Sequence, residues 1–315
     1  MQINRNKLKE KSMDTIIFVI RWLLIMAVGY IILFPLIQML SQSVMTQEQY
    51  TDTSVVWVPK EVSMVNFQVA WQTLEYPITL LWTVTVNIVS ALIQVLTCAV
   101  TAYGFSRFNF KGKNFFMALL IFSIIVPSQM TVIPSYINFR NFDVLGILEI
   151  VGRIIGKNIK PSIVDTPLTF YLPSILSVGL SSGIIIFIYI QFFKGLPKEL
   201  EEAASIDGAS ALGTFLRIVL PSSGVAIVSV LILSVIWHWN EYFLSVMYFS
   251  NTNTLSVRLA NLRMYLQNSG IDAQMAVTTG VIKAACLLFI LPMLIMYLIM
   301  QRKFIQSIDR VGIVG

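Results

Sequence analysis

Residue types able to do chemistry are few in this chain, and they are scattered. His238 is the single histidine among 315 residues, so neither an imidazole-based metal site nor a histidine relay can be assembled. Cys98 and Cys286 lie far apart in apolar runs, without metal-ligand spacing, and read as small apolar fillers. A phosphate-binding loop needs G-x4-G-K-[ST], so that backbone donors and a lysine surround the phosphates. The nearest approach, Gly152-Arg-Ile-Ile-Gly156-Lys157-Asn158, is one residue short and ends in asparagine. No catalytic residue and no metal ligand is therefore assigned. Two features remain: a cluster of carboxylates at Glu199, Glu201 and Glu202, and Lys283, a cation inside an apolar run.

The elements that must position them are set by hydropathy. Hydrophobic residues make up 56% and charged residues 12%, whereas soluble domains run near 45–50% and about 25%. The surplus calls for a membrane. The net charge of +6 sits mostly between apolar spans, so orientation in a bilayer accounts for it better than nucleic acid does. The N-terminal basic stretch precedes an apolar run too long for a cleavable signal. Six segments reach the roughly 20 residues a crossing helix needs: Ile16–Met39, Ile78–Tyr103, Phe115–Ile137, Pro173–Phe193, Ser222–Met247 and Ala276–Met300. Of 22 Lys and Arg, thirteen fall in the N-terminus, the 104–114 and 194–221 loops and the C-terminal tail. Seven fall in the other connections, and Arg21 and Lys283 within spans. The basic side is the inner one. The expected fold is an all-α integral membrane protein with six transmembrane helices and both termini cytoplasmic. Residues 1–13 and 301–315 are cytoplasmic ends, and 14–300 is the transmembrane domain.

Pro127 and Pro134 interrupt the third span, Pro35 lies late in the first, and Pro292 lies inside the sixth. Gly179 and Gly183 form a small-xxx-small pair in the fourth, suited to helix packing. The outer segment 138–172 is long and mixed. Its stretch Val144–Ile155 is apolar enough for a short surface helix, and the segment reads as an external cap or docking surface.

The inner loop Leu196–Pro221 reads as two short amphipathic helices joined by a turn at Asp207-Gly208. Leu196, Leu200, Ala203 and Ala204 share one face of the first, opposite Lys198, Glu201 and Glu202. Leu212, Phe215, Leu216 and Val219 share one face of the second. Physics alone leaves two readings: a hairpin lying on the membrane, or a knob for a cytoplasmic partner.

The same loop resembles the EAA motif of binding-protein-dependent ABC importer permeases, E-A-A, three residues, G, nine residues, I-x-L-P. Glu202, Ala203, Ala204, Gly208, Ile218, Leu220 and Pro221 stand at that spacing. The resemblance implies that the first loop helix seats in a cleft of a separate ATPase dimer, which binds ATP and Mg, so this chain carries no cofactor. It implies coupling roles for Glu199, Glu202, Ala203, Ala204, Asp207, Gly208, Ile218, Leu220 and Pro221. It further implies a second permease subunit, an extracytoplasmic solute-binding protein and a bacterial plasma (inner) membrane. Most of residues 14–310 is similar to the carbohydrate branch, like the second permease of maltose-type importers. Trp239 to Phe243, Pro127 to Tyr136 and the tail Gln301 to Phe304 carry that likeness.

A sugar path needs aromatic faces beside amides and carboxylates. Trp237, Trp239, Asn240, Glu241 and Tyr242 offer both, and also fit an aromatic belt at the outer interface. Lys283 fits a cation on the path, meeting an anionic solute or Glu241, and equally a lysine reaching for the interface. Arg21 reads as an anchor of that second kind. An ABC permease for a non-sugar or anionic solute is one rival. An ion-driven secondary transporter is another, and it would carry central ionisable groups and inverted repeats.

Overall fold

The computed structural model describes residues 2–311 apart from 53, 56, 144–145, 158 and 269–274. Of residues 2–12, 47, 51, 275–278 and 302–311 it describes the backbone alone. The basic side chains Arg5, Lys7, Lys9, Lys11, Arg302, Lys303 and Arg310 thus lie outside the described residues. So do Val144, Asn158 and the side chains of Ala276 and Phe304.

Every regular element among the described residues is helical. The order begins α1 Gln2–Ser43, α2 Gln47–Thr51, α3 Val65–Thr73, α4 Tyr76–Arg107, α5 Lys113–Ile125, α6 Ser128–Arg140, α7 Ile147–Ile155 and α8 Leu168–Ile175. It continues α9 Ser182–Gly195, α10 Glu199–Ile206, α11 Ala211–Thr214, a π-helical turn Phe215–Val219, and α12 Leu220–Ser222. Last come α13 Gly224–Asn240, α14 Phe243–Tyr248, α15 Leu255–Ala260, α16 Leu262–Asn268 and α17 Met275–Val311.

Three apolar helices are long enough to cross a bilayer: Met13–Ser43, Tyr76–Arg107 and Thr279–Gln301. Two further candidates are bent pairs, α5 with α6 at 101° and Ala211–Ser222 with α13 at 79°. The fourteen-residue α9 is apolar but shorter. Three expected spans are therefore not single rods. The third breaks at Pro127, which cannot donate to the ladder, while Pro134 and Pro292 sit inside unbroken helices. The fourth breaks between Ile175 and Ser182, so Gly179 lies in a turn and not on a helix face. Gly183 does pack: a Cβ there would stand 2.8 Å from Ser123 Oγ and 2.9 Å from Ile124 Cγ1. The fifth ends at Asn240, before Glu241.

The chain divides into two compact units. The first comprises Met1–Thr73 with Leu262–Leu288. In it α1 leaves apolar side chains such as Leu23, Met26 and Ile31 exposed around its surface, a helix whose environment is apolar. Asn66 is buried and donates to the carbonyls of Ser43 (3.0 Å) and Met45 (2.9 Å). A Cβ at Gly280 would stand 2.6 Å from that amide nitrogen. Close packing therefore requires a glycine at 280.

The second unit comprises Leu74–Asn261 with Phe289–Gly315. Its centre is α4, packed on α8, α9 and α13. Thr79, Thr83, Asn87, Ser90 and Gln94 recur at helical spacing along α4, and all are buried. Gln94 closes this polar seam. Its amide donates to Leu180 O (2.6 Å) and Ser182 Oγ (2.7 Å), and its carbonyl accepts from Ser234 Oγ (2.7 Å). His238, one turn beyond Ser234, has Nδ1 2.8 Å from the Ser234 carbonyl, which places the proton on Nδ1. Toward the Arg107 end of α4 lies the apolar core of Val95, Cys98, Ile185, Tyr189, Phe193, Phe215 and Val219. The last two belong to the 194–221 loop.

In the segment 138–172, Asp143 accepts from Leu148 N (2.8 Å) and Glu149 N (3.0 Å) and so caps α7. Lys160 bonds Glu149 at 2.9 Å, and Arg153 bonds its other oxygen, which together hold the Glu149 carboxyl below its usual range. Gly156, with φ +69°, ends the helix. The Gly152-to-Lys157 pattern is thus a helix terminus, in which Lys157 N bonds Gly152 O at 3.0 Å.

Candidate functional site

The inner loop is built by local rules. Helix α10 stops in a paired-turn cap: Ala209 N bonds Ala204 O (2.9 Å) and Gly208 N bonds Ser205 O (3.1 Å). That cap needs a left-handed residue, and Gly208 has φ +80°. Ser210 starts α11, its hydroxyl accepting from Gly213 N at 3.2 Å. The chain then widens into the π turn, closed by Leu220 N onto Phe215 O. Pro221 follows, and Ser223 Oγ donates to the Val219 carbonyl at 2.6 Å. Beyond Ser223 the chain bends into α13.

Burial separates the expected coupling residues into two groups. Ala204 (6% exposed), Phe215 and Val219 are buried, and Ile218 and Leu220 are half-buried. Glu199, Leu200, Glu202, Ala203, Asp207, Gly208 and Pro221 are exposed, and so are Leu212 and Leu216. Ile206 is exposed at 86%. The buried stripe of α10 therefore runs through Glu201 and Ala204, not through Leu200 and Ala203 as the periodicity predicts. The cause is an inward ion pair. Arg107 Nε and Glu201 Oε1 lie 2.6 Å apart, with side chains 8% and 17% exposed. Tyr103 OH donates to Glu201 Oε2 (3.2 Å), and Arg107 Nη2 donates to Leu196 O (3.0 Å). Glu201 is thus committed within the chain. No ion pair involves Glu199, Glu202 or Asp207 among the described residues. Sequence reasoning missed Tyr103 and Arg107. The one available signal was an arginine at the inner end of a span, which reads equally as a topology marker.

The expected path residues of the second unit differ in exposure. Trp239 is 1% exposed, and its Nε1 donates to Phe289 O at 3.2 Å, so its ring is packed away. Trp237 is half-buried against the apolar core. Asn240 is exposed, although its amide returns to Ile236 O at 2.8 Å. Glu241 is half-buried and caps α14 by accepting from Leu244 N at 2.7 Å. Tyr242 is 40% exposed. Lys283, in the first unit, is half-buried on α17.

Apolar helices long enough to cross a bilayer, joined by a short loop with exposed acidic and apolar residues, are the build of an integral membrane protein. The family model described as binding-protein-dependent transport system inner membrane component matches residues 94–310. A probable ABC transporter permease protein of Pyrococcus horikoshii is 30% identical over 222 residues, 70% of each chain. An arabinooligosaccharides transport system permease protein of Halalkalibacterium halodurans is 25% identical over 309 residues, 94% of this chain and 98% of that one. A chain in the crystal structure of a bacterial ABC transporter, involved in the import of the acidic polysaccharide alginate, shares the fold. The TM-score is 0.65 over 92% of this chain and 97% of that one, at 19% identity. The chain belongs to the family of binding-protein-dependent transport system inner membrane components, the membrane-integral permeases of ABC transporters.

Proposed function

We infer that this chain is the permease subunit of an ATP-driven importer of sugars or oligosaccharides. It forms half of a translocation path and couples that path to a separate ATPase through the 194–221 loop. One observation carries the coupling role: α10 exposes Glu202, Ala203 and Ile206 on a helix anchored to the core by Ala204, Phe215 and Val219. An isoleucine that is 86% exposed beside unpaired carboxylates suits a partner surface of apolar and basic groups. The sugar assignment is supported by the arabinooligosaccharide relative, which aligns over nearly its whole length. On this reading the chain has six spans and both termini inside. ATP and Mg are bound by the partner ATPase, and the solute-binding protein meets the outer face, where 138–172 serves as cap or docking surface.

Topology tests it. Ser162 and Ser210 are both exposed, so cysteines placed there are reachable, while Cys98 is buried. Cysteine at position 162 is expected to react with a membrane-impermeant reagent added outside. Cysteine at position 210 is expected to react only after the inner side is opened. Labelling of both from one side would remove the six-span arrangement.

A second reading, transport of an anionic oligosaccharide, is favoured by Lys283. It is half-buried in an apolar helix, and no ion pair involves it among the described residues. A hydrogen bond to a charged group contributes ~1.5–3 kcal/mol, roughly 10–100-fold in affinity. Lys283→Met is expected to lower uptake of uronate-containing oligosaccharides by about that factor and to spare neutral ones. Wild-type uptake of both kinds would assign Lys283 to the lipid interface.

A further inference from the structure

Helix α10 has eight residues, too few to be stable alone. Its ends are Leu196-Pro197 on one side and the capped turn at Gly208 on the other. Besides its apolar anchors, what links it to α4 is Arg107, the last residue of α4. The guanidinium reaches Glu201 on α10 and the Leu196 carbonyl at the joint before it, 2.6 and 3.0 Å away. Tyr103, one turn back on α4, bonds the other Glu201 oxygen and packs on Phe215 at 5.0 Å and Phe193 at 6.3 Å. Both charges also suit their helices: a cation at the C-terminus of α4 and a carboxylate in the first turn of α10. The pair is shielded from water, so removing one partner leaves the other charge uncompensated.

We propose that Arg107 and Glu201 form a strut that makes α10 and the inner end of α4 move as one body. They are positioning residues for the ATP-driven step, distinct from the surface that meets the ATPase. The proposal rests on the coupling role inferred above for α10. A displacement imposed on α10 then enters α4 at Arg107 and travels along it to Gln94 and its partners Ser182 and Ser234.

The test is made on the assembled importer in lipid, with spin labels at Ser205→Cys on α10 and Lys111→Cys just beyond α4, both positions being exposed. The distance between the labels is measured without nucleotide and with the ATPase trapped by ADP and vanadate. In the wild type the strut keeps the distance the same in both states. In Arg107→Gln and Glu201→Gln, α10 follows the ATPase and α4 does not, so the distance shifts by about 2 Å or more between the states. A role confined to loop stability would broaden both states alike and shift neither. A shift in the wild type, or no shift in either glutamine variant, would each overturn the strut. Should the glutamine variants fail to assemble, Arg107→Lys decides. It keeps the charge but loses the fork that spans Glu201 and Leu196, and an unchanged distance there also overturns it. Glu202→Lys is measured in parallel. Retention of the ATPase by that variant defeats the coupling reading itself, whereas its loss alongside unshifted Arg107→Gln defeats the strut alone.

Discussion

Glu202→Lys is expected to strip the ATPase from the importer while leaving the chain in the membrane and paired with the second permease. Glu202 is exposed at the start of α10, and no ion pair occupies it among the described residues. Among the described residues no ion-pair partner depends on its charge. An exposed pair contributes only ~0.2–1 kcal/mol, so simple neutralisation by Glu202→Gln should be mild, within about fivefold. Reversal differs in kind. Docking removes water from the helix face, and a lysine facing a basic cleft is then both repelled and desolvated. A cost of ~3 kcal/mol corresponds to more than a hundredfold in affinity. Co-purification of the ATPase through a tag on this chain measures it. Equal recovery with the wild type, Glu202→Gln and Glu202→Lys would place the docking surface elsewhere.

Gly208→Val is expected to lower ATP-coupled uptake roughly 5–30-fold, and Gly208→Asn to leave it near wild type. A Cβ at Gly208 would meet nothing within 4 Å, so crowding is not the cause. The cause is φ +80°, where an L side chain costs about 1–2 kcal/mol, a β-branched one more, and asparagine least. That cost falls on the cap joining α10 to α11, and one or two kcal/mol shifts a local equilibrium by that 5–30-fold. The ranking Gly ≥ Asn > Ala > Val in vectorial transport, at equal membrane levels, is the signature. A valine variant with wild-type uptake would show that the loop works without a fixed turn.

Much of the architecture was legible because hydropathy and proline act locally. The break at Pro127, the Gly208 turn and the two short loop helices all follow from backbone chemistry readable within a few residues. The inward turn of Glu201 was not legible. Its partner Arg107 is 94 residues away in sequence, and a carboxylate at that helical position looks exposed until the arginine is placed (201 minus 107). The burial of Trp239 was hidden for the same reason, since the Phe289 carbonyl that receives its N–H lies 50 residues on. The break in the fourth span at Ser177 to Ser181 was missed because Gly179, which lies in it, reads equally as half of a small-xxx-small packing pair with Gly183.

The polar seam of α4 has a consequence for how the chain is made. Its glutamine finds Ser182 88 residues later and Ser234 140 residues later. At a synthesis rate of ~5–20 residues per second, 140 residues take roughly 7–28 s. For that interval α4 has left the ribosome with Gln94 unmatched by the hydroxyl that finally satisfies it. Retention beside the insertion machinery, or shielding by a chaperone, is the natural way to span the delay. A chain halted before Ser234 leaves the Gln94 carbonyl oxygen without that donor, so the seam that ties the finished bundle together also distinguishes it from an unfinished one.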